Sequence, residues 1–265
     1  MQQRILITGA AGIVGTMMRS RLRREGRVLR LLDRAPLPPA EPGEAVEAIT
    51  GTLTDPDVMA AACEGVDAIL HLGGHSRENS WAETLAVNID GTHTVLEAAR
   101  KTGVGRVILA SSNHAAGFRQ VADAGPDGLP ADSPARPDTY YGVSKAAIEA
   151  LGSLYHSRFG IDVICIRIGA CFERPSDVRA LSLWLSPDDA ARLFEACLGH
   201  PSPGYRVIWG VSGNTRRVCS LAEAEELGYR PQDDSEAFAA EAAASGSSSR
   251  YLGGPFTTAP LGEPN

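Results

Sequence analysis

Two short strings carry most of the recognisable chemistry. The first is Tyr141-Gly142-Val143-Ser144-Lys145, a Y-x-x-x-K spacing. Residues at i and i+4 share one face of a helix, so phenol and ammonium stand side by side. A lysine in that place favours the phenolate and pulls a pKa of about 10 toward neutrality. A tyrosine tuned in this way takes the proton of an alcohol while hydride leaves the same carbon. The spacing also occurs on ordinary surface helices, so its meaning depends on its neighbours. The second string is Thr8-Gly9-Ala10-Ala11-Gly12-Ile13-Val14-Gly15, a G-x-x-G-x-x-G loop. Glycines there let backbone approach a pyrophosphate, which rests on the free amides and positive dipole of a helix N-terminus. Asp33 follows at about the 20-residue separation where a carboxylate takes the ribose hydroxyls and repels a 2′-phosphate, which favours NAD over NADP. Arg34 beside it weakens that preference.

These groups need a scaffold that gathers them. Short apolar runs at Arg4–Thr8, Arg27–Leu32, Val66–His71, Arg106–Ala110 and Asp162–Ile168 read as buried strands. Longer periodic stretches at Gly12–Arg24, Thr84–Lys101 and Tyr140–Phe159 read as helices. The alternation predicts an α/β fold, a doubly wound parallel sheet of the Rossmann kind covered on both faces. Ligands of such sheets lie at the carboxyl edge, which is where Ser111 and Ser112 fall after Val107–Ala110. Two stretches break the alternation. Phe118–Thr139, rich in Gly, Pro and Asp, is long enough to be a lid or a disordered connection. From Ala239 onward the chain turns to Ala, Ser and Gly and reads as a tail wandering over the surface.

Composition sets the outer bounds. The 265 residues suffice for one large domain or two small ones, and 43% hydrophobic content supports a packed core. The reading adopted is a single nucleotide-binding domain over residues 1–265, with a cofactor-binding core up to residue 168 and a reduced substrate-binding part and tail over 169–265. A net charge of −7 without a Lys/Arg cluster argues against nucleic acid and anionic membrane as partners. No apolar run suits a membrane span, and no signal peptide is visible. The five cysteines, odd in number and without C-x-x-C, speak against a disulfide framework and a common zinc pattern, and for a reducing cytoplasmic setting. His71 and His75 have H-x-x-x-H spacing, but Gly73 and Gly74 interrupt it after a strand, so no metal site is expected.

Glycine loop, strand-end serine and Y-x-x-x-K together resemble the short-chain dehydrogenase/reductase superfamily, and His71-Leu72-Gly73-Gly74 looks like its extended branch. Further strings resemble the bacterial uronate dehydrogenase family over nearly the whole chain: His71–Ser76, Ala110–His114, Arg167–Cys171 with Arg179, Trp184 with Ser186–Asp189, Val207–Gly210 and Gly253–Phe256. The resemblance implies NAD lying along Gly9, Gly12, Ile13, Val14, Gly15, Asp33, Thr52, Leu53, Leu72, Gly73, Lys145 and Cys171. It implies Tyr141 as acid/base, Ser112 orienting the reacting oxygen, Lys145 on the nicotinamide ribose and Asn88 supporting a proton-relay water. A sugar acid would touch Ser76, Ser112, Asn113, His114, Tyr141, Arg179 and Phe256, with Arg179 offering its carboxylate a two-pronged guanidinium. Two departures stand out: Thr52 replaces a frequent aspartate near the adenine, and Ala170 replaces a serine facing the substrate. The activity implied is oxidation of the anomeric carbon of D-glucuronate or D-galacturonate to an aldarolactone, by a homo-oligomer. A nucleotide-sugar epimerase or dehydratase is the alternative, disfavoured by the short stretch after Ile168. A non-catalytic NAD-sensing protein is the weaker one, disfavoured by the intact Tyr141/Lys145 pair.

Overall fold

In a strand successive side chains face opposite ways, and β1 (Gln3–Thr8) uses this to seed two cores. Ile5 and Ile7 enter one, Leu6 the other, and all three are fully buried. The computed structural model describes residues 2–243 and 249–264. β1 is joined by β2 (Arg27–Asp33), β3 (Val46–Thr50), β4 (Ala68–His71), β5 (Arg106–Ser112), β6 (Asp162–Ile168) and, beyond the two-residue β7 (Ala170–Cys171) and β8 (Trp184–Leu185), by β9 (Tyr205–Gly210). The seven-stranded sheet runs β3-β2-β1-β4-β5-β6-β9 with every neighbouring pair parallel. Strand order reverses between β1 and β4, so the crevice for a ligand opens beyond Thr8 and His71.

Helices α1 (Ile13–Arg21), α2 (Pro56–Cys63), α3 (Trp81–Glu83), α4 (Gly91–Thr102), α5 (Tyr140–Phe159), α6 (Ala180–Leu183) and α7 (Pro187–Gly199) complete the layers. Met18, Leu193 and Phe194 from α1 and α7 cover one face; Val95, Leu96, Ile148 and Tyr155 from α4 and α5 cover the other. The fold is the one the alternation predicts. Its edge elements are not: β3, α2, α7 and β9 have no counterpart in the sequence reading. β3 is a short, half-exposed edge strand containing a glutamate, so it lacks the buried apolar run that announces a strand. β9 belongs to residues 169–265, which thus return a strand to the main sheet. The helix expected over Thr84–Lys101 spans Trp81 to Thr102, with Thr84–Asp90 in the wider π-helical winding.

Phe118–Thr139 is neither lid nor disordered. Its backbone is pinned to two distant segments: Leu129 N–H donates to Val218 O at 2.8 Å, and Val121 N–H donates to Arg250 O at 2.9 Å. Leu129 and Ala131 are buried against the first core. The tail also departs from expectation. Ala239–Ala243 is helical, residues 244–248 lie outside the described residues, and 249–264 return to the body of the protein. Leu252 is 1% exposed because its backbone is taken at both ends, and a 3-10 turn over Gly254–Thr258 follows it. No helix among the described residues is long and apolar enough to cross a membrane.

Candidate active site

The loop after β1 is built from backbone. Gly9 turns at φ +70°, and a side chain there would meet Gly73 N at 2.6 Å in the facing loop. A side chain at Gly15 would run into Gly9 O and Ala10. Gly12 starts α1 without a side-chain cap, and the first turn holds no acidic residue, so its amides are left for an anion. Asp33 is fixed at the end of β2 by N–H donors from Ala11 and Ala35, each at 2.9 Å. Under this loop His71 is wedged between the hydroxyls of Thr8 (2.7 Å) and Thr92 (3.0 Å). Burial, with the Lys145 charge, pushes His71 down to about 3, so the ring is neutral. Both its nitrogens are occupied within the fold, which leaves neither for a metal.

α5 carries the catalytic candidates. Its first turn is capped twice. Thr139 Oγ1 accepts from Gly142 N, and the buried Glu78 carboxylate accepts from Tyr140 N at 3.3 Å and Tyr141 N at 2.9 Å. The Lys145 ammonium donates to Ala110 O at 2.7 Å and lies 5.4 Å from the Tyr141 ring centre. The tuning expected from the sequence is reversed in the protein alone. Burial pushes the Tyr141 phenol up to about 12, opposed by the Ser112 hydroxyl and aided by the Asp138 charge. Burial also brings Lys145 down to about 8, and its ammonium is engaged by a carbonyl, so it does not offset the phenol's desolvation. Below, Ser111 donates to Glu149 at 2.6 Å, and Arg167 grips the same carboxylate with two bonds of 2.9 and 2.8 Å. That buried pair locks β5, β6 and α5 together under the site.

A cavity of about 510 Å³ runs along the carboxyl edge from Asp33 to Tyr141. Of the residues singled out from sequence, Gly9, Gly12, Ile13, Val14, Gly15, Asp33, Thr52, Leu53, Leu72, Gly73, Ser76, Ser112, Tyr141, Lys145 and Cys171 line it. A glycine cradle, an open helix N-terminus and an anchored carboxylate in one elongated cavity fit a dinucleotide. The pattern of the NAD dependent epimerase/dehydratase family matches residues 5–172. The chain belongs to that family.

Within the family it lies in the uronate dehydrogenase branch, and its cofactor is NAD. A uronate dehydrogenase of Pseudomonas putida is 44% identical over 262 residues, 97% of this chain and 96% of the relative. A variant of the Agrobacterium tumefaciens uronate dehydrogenase, solved in complex with NAD, is 37% identical, superposes with a TM-score of 0.90 and is covered over 98% of both chains. An NAD-dependent glucose-6-phosphate dehydrogenase of Haloferax volcanii is 37% identical over 91% of this chain and 97% of the relative.

The remaining candidates lie off the cavity wall, drawn together by the returning tail. Asn113 Nδ2 donates to Leu252 O at 3.1 Å, and Arg179, just before α6, donates to the same oxygen from Nε at 2.9 Å and from Nη2. His114 Nδ1 meets Asp138 Oδ2 at 2.7 Å. Its ring stacks on Phe256 at 4.1 Å and stands edge-on to Tyr141 at 5.7 Å. Asn88, on the π-helical turn, is buried away from the wall. Its amide donates to Ser144 Oγ and His75 O, and its carbonyl accepts from His75 N at 2.7 Å. It holds the loop that follows β4. Burial pushes the Cys171 thiol up to about 12, so it packs as a small apolar group. Thr52 lines the same cavity as Asp33, with its hydroxyl 2.9 Å from that of Thr54. Sequence reasoning missed Glu78, Asp138 and Leu252. The Pro137-Asp138-Thr139 string before the Y-x-x-x-K helix was a usable signal for a cap. Glu78 and a tail carbonyl have no local pattern at all.

Proposed function

We propose that the protein oxidises the anomeric carbon of a hexuronate, D-glucuronate or D-galacturonate, to the aldarolactone. The observation that carries this reading is Arg179. Its guanidinium is partly buried, has no ion-pair partner among the described residues, and hydrogen-bonds only the Leu252 carbonyl. Burial draws its pKa down from the usual arginine value, outweighing the opposing charges of Asp177 and Asp138, and no carboxylate pairs with it directly as counter-charge. A sugar carboxylate supplies that charge, and a fork-shaped donor suits it. The named relatives favour the same substrate class.

Gly9, Gly12 and Gly15 would hold the pyrophosphate of NAD, and Asp33 the adenosine ribose. When bound, NAD+ supplies the cationic ring that accepts hydride from C1. Ser112 Oγ donates to the C1 oxygen and orients it. Tyr141 Oη, as the phenolate that Lys145 and the cationic ring of bound NAD+ would favour against burial, takes the C1 hydroxyl proton. Lys145 spans from Ala110 O toward the ribose and adds positive charge beside the phenol. Asn113 and His114 face the sugar beside Arg179, and Phe256 shields the site from water. Residues 169–265 supply Arg179 and Phe256 to this sugar-binding side. Exposed Leu154 and Phe159 on α5 support a homo-oligomer, and five unpaired thiols support a cytoplasmic setting.

Protein mixed with NAD+ and either uronate should produce NADH absorbance. A neutral hexose should give far less, and nucleotide sugars none. No signal with any uronate sinks the proposal.

A further inference from the structure

His114 is held on three sides, and the group that holds it most firmly is a carboxylate. Asp138 Oδ2 lies 2.7 Å from His114 Nδ1, and the Asp138 side chain is fully buried. Space for it is made by two glycines from separate segments, since a side chain at Gly117 or at Gly253 would overlap the Asp138 carboxylate. The other carboxylate oxygen, Oδ1, accepts from Thr139 Oγ1 at 3.0 Å. Phe256 stacks on the ring and Tyr141 meets its edge. Nε2 has no protein partner among the described residues, and the side chain is 13% exposed.

A carboxylate can only accept, so the proton of a neutral imidazole must sit on Nδ1 here. We propose that Asp138 is a positioning residue that fixes this tautomer, so that His114 presents the bare lone pair of Nε2 to a hydroxyl of the sugar. The division of labour follows. Arg179 reads the substrate's negative charge, and His114 reads a hydroxyl as a hydrogen-bond donor. Asp138 sets the ring through its direct contact with His114, while its charge is also felt by Tyr141 and Arg179, so the tautomer readout and the deoxy substrates separate the two effects. This rests on the sugar-acid reading above for the identity of the ligand, but not for the state of the ring.

The test is Asp138→Asn, which keeps size and shape. Thr139 Oγ1 still needs an acceptor at the Oδ1 position, so the carboxamide turns its NH2 toward His114. Nδ1 must then accept, and the proton moves to Nε2. Ring nitrogen NMR of the NAD-free protein, with His114→Gln identifying the signal, should place the proton on Nδ1 in the wild type and on Nε2 in the variant. With uronate, kcat/KM of the variant should fall about tenfold or more, carried mainly by KM, because a donor now faces a donor. NAD affinity and Tm should stay near wild type. One monodeoxy uronate, lacking the hydroxyl that Nε2 reads, should be turned over equally by both proteins.

A wild-type ring protonated on Nε2, or on both nitrogens at neutral pH, overturns the proposal. So does an unchanged KM in the variant, or a penalty that persists with every monodeoxy substrate. If the wild type oxidises no uronate, the function reading fails while the NMR still decides the tautomer. If the variant does not fold, the wild-type spectrum alone decides it.

Discussion

The two ends of the site are made differently. The cofactor end is backbone: glycines that clear space, amides at the start of α1, and one carboxylate fixed by two of its neighbours' N–H groups. The end proposed for the sugar is side chains brought from afar. Asn113 and Arg179 converge on Leu252 O, and Glu78 binds both α5 and Gly262 N. The first end is local in sequence, between Thr8 and Asp33, and serves a cofactor common to the whole family. The second joins segments up to 184 positions apart and can change ligand without disturbing the first. Binding energy for a shared group is stored in the fold, and specificity is stored in its additions.

That contrast can be broken most sharply at the group standing between the ends. Tyr141→Phe should cut kcat on the order of 10²–10⁴-fold with NAD affinity unchanged. Stopped-flow NADH formation and a fluorescence titration with NAD would measure the two. Gly9→Val should damage only the cofactor end. Its φ of +70° and the proximity of Gly73 N make a branched side chain cost about 1–3 kcal/mol of strain, read as weaker NAD binding and a lower Tm. Arg179→Ala should damage only the substrate end, raising KM for uronate roughly 10- to 100-fold with NAD affinity intact. Arg179→Lys should recover little, because a point charge does not reproduce the fork.

Acid sharpens the comparison from the other side. His71 is held neutral at about 3, below the usual histidine value of about 6.5. The unfolded chain binds that proton first, so stability contributed here is complete above about pH 6.5 and is lost as pH falls toward 3. The loss should be seen as a lower Tm at pH 5 than at pH 7 by circular dichroism, and should shrink in His71→Asn. The smallest effect is expected from Glu78→Gln, which keeps the side chain's shape but turns one of its two accepting oxygens into an NH2 and removes charge from the start of α5. About 1 kcal/mol of stability should go, together with faster proteolysis near Gly262.

The same division explains what could be read from the chain. α5, from Tyr140 to Phe159, and β6, from Asp162 to Ile168, have the bounds expected because their apolar pattern and flanking glycines are local. The glycine loop and Asp33, which the sequence pattern singled out, do line the cavity, and they too form a local pattern. Phe118–Thr139 and the tail were misread because what orders them is pairing with each other, as in the Leu252 N–H bond to Arg119 O, which no window of sequence contains. In the protein without cofactor the Tyr141 phenol is shifted up where the spacing suggests down, because spacing reports a neighbour's charge but not the depth of burial.

The Glu78 carboxylate, shared by the start of α5 and by Gly262, has a consequence in time. A ribosome releases Thr8 to Ile168 long before it releases residues 251–262. The dinucleotide groove can therefore take shape while the sugar pocket still lacks its last wall. Synthesis thus supplies the segments lining the cavity before the stretch that brings Leu252 to Arg179 and Phe256 to His114, so the second half of the site is ordered only by a segment made later.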